Sequence, residues 1–122
     1  MTERFVSPCR LPTPLEGEIL DTLIEEAAEA IQRATKAQRF GVDEIQPGQE
    51  LSNCERLSLE VGDFLGMVRV ALEENLLSEH YLEAGSARKI ERFEKYRQFR
   101  HEPEHAQRRA EGPSPQDPEV VE

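Results

Sequence analysis

The chain has 122 residues, enough for one domain, and 25 acidic against 15 basic residues give it a formal net charge of −10. That balance argues against binding of a nucleic acid polymer through a basic surface. A hydrophobic fraction of 37% without tryptophan allows only a modest core, and no apolar run approaches the length of a membrane span. Cys9 and Cys54 form no paired motif and read as free thiols of a cytoplasmic protein.

In chain order, residues 1–12 read as an extended leader broken by Pro8 and Pro12. Thr13-Pro14-Leu15-Glu16 then opens a helix. Thr13 caps it, Pro14 takes the first helical position and Glu16 completes a capping box. This helix is expected to reach Arg39 and to stop at Phe40-Gly41. A loop containing Pro47-Gly48 follows, and Ser52-Asn53-Cys54-Glu55 is a second capping box. The helix it opens is expected to reach Glu74. Asn75 to Leu77 connect it to a short helical segment, Glu79 to Ala84, stopped by Gly85. A last helix is expected from Ser86 to Phe99. Residues 101–122, rich in proline and charge, read as a disordered tail. No segment carries a strand pattern. The expected fold is all-α: two long antiparallel helices plus shorter C-terminal helices, with residues 13–100 as the domain.

Each long helix carries carboxylates three residues apart. The first has Glu25-Glu26-Ala27-Ala28-Glu29 and the second Glu60-Val61-Gly62-Asp63. Such pairs share one side of a helix and repel each other. At about 100° per residue, Ile19, Leu20, Leu23, Ile24, Ala27, Ala30, Ile31 and Ala34 form one apolar face of the first helix. Glu26 borders that face, Glu29 lies farther round and Glu25 farthest. On the second helix the apolar arc is wider and runs through Leu57, Val61, Phe64, Leu65, Met67, Val68, Val70, Ala71 and Leu72. Glu60 and Asp63 fall inside it, where a carboxylate must be paired, protonated or bound to a metal. So wide an arc also implies a second subunit.

Four carboxylates without a nearby histidine make a hard oxygen site suited to Mg²⁺, with Mn²⁺ as a substitute. Such an ion keeps positions open for phosphates. On the last helix Lys89 and Arg92 share a face and could reach a phosphate, with Tyr96 one turn on.

Taken together, Glu25-Glu26-x-x-Glu29 and Glu60-x-x-Asp63 on consecutive long helices resemble the MazG-like, all-α nucleoside triphosphate pyrophosphohydrolases. Arg39-Phe40-Gly41 and Asn53-Cys54-Glu55-Arg56-Leu57 are similar to small stand-alone, phage-type members. The resemblance runs from Leu15 to Phe99. It implies Mg²⁺-dependent cleavage of a nucleoside triphosphate between the α and β phosphates, in homodimers or homotetramers. By the same resemblance Glu26, Glu29, Glu60 and Asp63 would hold metal, and Glu25 would orient or activate water, a role it could exchange with Glu29. Lys89 and Arg92 would bind phosphate, and Asn53 and Tyr96 are possible base contacts. The competing expectation is a non-catalytic helical module that binds a nucleotide or a protein.

Overall fold

The computed structural model describes residues 9–100, and these are helical and connecting segments without a strand. The residues of the leader up to 8 and of the tail from 101 lie outside the described part. Three helices follow one another: α1 (Pro14–Phe40), α2 (Asn53–Glu73) and α3 (Glu79–Tyr96). Among the described residues no helix is long and apolar enough to cross a membrane.

Local chemistry sets each end. The Glu16 amide donates to Thr13 Oγ1 at 3.2 Å, and the Thr13 amide donates to Glu16 Oε1 at 3.0 Å. Two donors that would otherwise lack partners at the start of α1 are thereby satisfied. Arg10 reaches the same carboxylate through both terminal nitrogens, at 2.6 and 3.0 Å. Gly41 ends α1 with φ 108°, a conformation that costs glycine little. Gln46-Pro47-Gly48-Gln49 makes a turn closed by the Gln49 amide donating to the Gln46 carbonyl at 3.0 Å. Proline at its second position and positive φ at Gly48 are what a type II turn requires.

The loop is fastened to α2 chiefly by Asn53. Its side-chain nitrogen donates to the Gly41 carbonyl at 2.9 Å and to Glu44 Oε1 at 3.1 Å. Its amide donates to the Glu44 carbonyl, and the Cys54 amide to the Val42 carbonyl, each at 2.9 Å. Ser52 and Glu55 form the second capping box. α2 ends in a Schellman arrangement with Asn75 at φ 58°. The Leu76 amide donates to the Ala71 carbonyl and the Asn75 amide to the Leu72 carbonyl.

Residues up to Leu82 form one compact unit and those from Glu83 a second, so α3 begins in the first and makes up most of the described second. Within the first unit α1 packs on α2. The start of α2 meets the end of α1 through Asn53 and Gly41, while Glu60 and Asp63 meet the earlier residue Glu26. Contacts thus run back along α1 as they run forward along α2. The interior is thin: Ile19, Ala37 and Ala71 are buried, with Asn53 the one buried polar residue among those described. Ile24, Ile31 and Leu65, expected on core faces, are 67%, 68% and 58% exposed. One neighbouring helix covers a stripe of little more than 100°, which leaves the flanks of a wider apolar face open.

The C-terminal region differs from the expectation of two short helices. α3 is one continuous helix through Gly85 and Ser86. Gly85 has no positive φ. A glycine inside a helix costs only about 1 kcal/mol relative to alanine, too little to interrupt a segment rich in Ala, Leu, Glu, Lys and Arg. Within the second unit Arg97 bonds Glu94 at 3.0 Å, and Ile90, Phe93, Tyr96 and Phe99 are largely exposed.

Candidate metal centre

The first unit brings together Glu26 from α1 and Glu60 and Asp63 from α2, each offering a carboxylate oxygen within 4.8 Å of the others. The three-residue spacing on α2 sets Glu60 and Asp63 one helical turn apart on one side. Glu26 meets them where α1 packs on α2, the return between the two helices being held by Asn53.

The carboxyls are unevenly solvated. Glu26, Glu29 and Glu60 are half-buried, whereas Glu25 and Asp63 are exposed. Asp63, which the wheel sets inside the apolar arc of α2, is open to solvent in the single chain. Glu26 and Glu60 each hold an Oε2 atom out of solvent with no hydrogen-bond partner. A polar atom kept from solvent without a partner is unfavourable, the more so where it is charged.

Electrostatics point the same way. The Glu26 carboxyl is pushed above the usual range first by desolvation, then by the charges of Glu29, Asp63 and Glu25. Glu60 is pushed up by desolvation first, then by the neighbouring Glu29 carboxyl and by the charges of Asp63 and Glu26. Among the described residues the ion pairs are Arg10–Glu16, Arg97–Glu94 and Arg100–Glu94. None touches the cluster, and Lys36, Arg39 and Arg69 make no pair with it.

These features fit a divalent cation. The donors are all carboxylate oxygens, as Mg²⁺ and Mn²⁺ prefer. Ligands at about 2.1 Å from one ion lie at most about 4.2 Å apart, so a separation within 4.8 Å asks for only a small side-chain adjustment. Glu29 stands outside the trio, beside Glu60. Glu25 acts on Glu26 through its charge.

The other residues singled out in the sequence are placed differently. Asn53 is 1% exposed and both its donors serve the loop, which leaves its Oδ1 alone without a partner. Lys89, Arg92 and Tyr96 lie exposed on α3 in the second unit.

Two half-buried arginines were not singled out in the sequence. Arg33, one turn past Glu29, is half-buried and keeps an Nη1 atom out of solvent without a partner. Its spacing of seven from Glu26 puts both on one side of α1, and that was the available signal. Arg56, four residues before Glu60, lines a cavity beside that residue.

An all-α chain with a carboxylate trio between two helices is the class that fold and site define. Compared with family models, curated proteins and solved structures, the chain matches none of them.

Proposed function

We infer that the chain is a Mg²⁺-dependent nucleotide pyrophosphohydrolase of the MazG-like kind, cytoplasmic and acting in nucleotide-pool sanitation. Its reaction would be cleavage of a nucleoside triphosphate between the α and β phosphates, giving a monophosphate and pyrophosphate. The carrying observation is the meeting of Glu26, Glu60 and Asp63, with an unpartnered buried oxygen on both Glu26 and Glu60. Carboxylates arranged in this way gain from a cation what they lose to one another.

Glu26, Glu60 and Asp63 would hold the ion, with Glu29 completing the set. Once bound, the metal would supply Lewis acidity toward a phosphate oxygen and lower the pKa of a bound water. Glu29 bears on Glu60 and would keep its carboxylate oriented. Glu25, exposed and next to Glu26, is free to orient or accept a proton from the attacking water. Glu29 is the other candidate for that proton.

Exposed Ile24, Ile31 and Leu65 support assembly into a homodimer or homotetramer, since burying each would contribute roughly 1.5–3 kcal/mol. A second reading, a non-catalytic interaction module, is favoured by the exposed Ile90, Phe93 and Tyr96 of α3. A panel of common and modified nucleoside triphosphates, assayed for pyrophosphate with Mg²⁺ and Mn²⁺, separates the two. The enzyme releases pyrophosphate from at least one in a metal-dependent way. Absence of turnover across the panel contradicts it.

A further inference from the structure

A cavity of about 450 Å³ adjoins the acidic cluster, walled by Leu51, Leu59 and the Gly48–Glu50 segment, with Arg56 and Glu60 in its lining. Arg56 is its one cation, set beside the carboxylates of Glu50 and Glu60. At four residues' separation on a helix, arginine and glutamate are close enough to pair. Here they do not: no ion pair joins Arg56 to any carboxylate among the described residues. Glu60 belongs instead to the cluster with Glu26 and Asp63. Arg56 Nη1 donates to the neutral Gln46 Oε1 at 2.8 Å. Arg56 is thus half-buried and held in place by Gln46, with no carboxylate of the described residues at ion-pair distance.

The result is a separation of charge along one helix. Glu60 of the acidic cluster and the unpaired Arg56 stand on the same helix, about 6 Å apart by the rise of four residues. A ligand that satisfies both is an anion carried next to a metal ion. A guanidinium with free donors suits phosphate in particular, because its planar fork can bond two oxygens at once. The volume is also within the range of small-ligand sites.

We propose that this cavity receives a phosphate group of the polyphosphate substrate and that Arg56, braced by Gln46, is the residue that binds it. The proposal rests on the metal-dependent reading given above and adds the residue that receives the substrate's phosphates. Gln46 enters from the loop, so the turn it opens braces the guanidinium from outside the cavity.

Calorimetry with inorganic pyrophosphate, on the full chain with and without Mg²⁺, tests it. Arg56→Gln removes the charge, Arg56→Lys keeps it, and Gln46→Ala removes only the brace. Loss of a charged hydrogen bond corresponds to a tenfold to hundredfold change, so pyrophosphate should bind about that much more weakly to Arg56→Gln. Arg56→Lys and Gln46→Ala should lose only a few-fold, and Mg²⁺ affinity should be unchanged in all three. With a hydrolysed nucleotide, KM should rise in Arg56→Gln with little change in kcat. Should Arg56→Gln not fold, the intermediate affinities of the other two variants carry the test. Unchanged pyrophosphate affinity in all variants, with Mg²⁺ still bound, overturns the role of Arg56 and leaves the metal centre standing. If Mg²⁺ does not bind but pyrophosphate binds in an Arg56-dependent way, the metal centre falls and the phosphate site stands. If neither binds the wild-type chain, both are overturned.

Discussion

Two glutamates on α1, ten residues apart, are driven in opposite directions. Glu16, in the first turn, has Arg10 on both carboxylate oxygens and the Thr13 amide beside it, and its carboxyl is lowered to about 2. Glu26, in the middle of the helix, has one oxygen out of solvent without a partner, and desolvation first, then the carboxylates around it, push its pKa up. The residue type and the helix are the same; the difference is whether the chain supplies a counter-charge. It does so at the start of α1 and not at the cluster. A carboxylate left without a protein partner marks where an external cation has the most to contribute.

The largest effect should come from removing the trio. Asp63→Ala or Glu60→Ala should lower pyrophosphate release at least a hundredfold, as expected when transition-state charge stabilisation of several kcal/mol is lost. Activity retained within a few-fold of wild type would show that these side chains do not hold the catalytic ion. Next in size, Asn53→Ala should destabilise the fold by about 2–3 kcal/mol. It removes two hydrogen bonds from a buried side chain and leaves the Glu44 carboxylate without one of its donors. A denaturant midpoint shift with unchanged m-value measures that loss. Because Asn53 fixes how α1 returns into α2, Mg²⁺ affinity should fall with it.

Acidification should act oppositely on the two regions. In the metal-free protein Glu26 and Glu60 have folded pKa values above their unfolded ones. The native state therefore binds protons more readily in the window just above the usual carboxylate range. Stability must fall as pH rises through that window. Melting of the chelated protein should move upward from pH 7 to pH 5, and saturating Mg²⁺ should remove the gain. Glu16 contributes in the reverse sense. Its folded pKa lies below the unfolded value, so its stabilisation is complete above about 4.5 and is lost as pH falls through about 2. Arg10→Ala should raise the Glu16 pKa toward the ordinary range, measurable by carbon-13 titration. The effect on melting should be the smallest of these, because the pair is solvent-screened.

Much of this contrast was readable in the sequence. The Thr13–Glu16 and Ser52–Glu55 boxes gave the starts of α1 and α2, and Gly41 and Pro47-Gly48 gave the stop and the turn, because each depends on neighbours within a few residues. Spacing likewise placed Glu26 nearer the interior than Glu25. What spacing does not carry is depth and cross-chain detail. A helical wheel gave the direction of Asp63 but not that its side of α2 stays open. It also assigned Ile24 and Ile31 to a core that one partner helix is too narrow to cover. Gly85 misled because its helix penalty is small beside the propensities around it. The placement of Arg56 in a cavity beside Glu60 was invisible because it depends on Gln46, ten residues away across the loop.

The most direct test of the central claim is a Mg²⁺ titration by calorimetry of the wild-type chain beside Glu60→Gln and Asp63→Asn, both of which keep side-chain size. The wild-type chain should bind Mg²⁺ at millimolar concentration or below, and each variant should lose that binding. Absence of Mg²⁺ binding by the wild-type chain, or equal binding by the variants, would contradict a metal centre built on Glu26, Glu60 and Asp63.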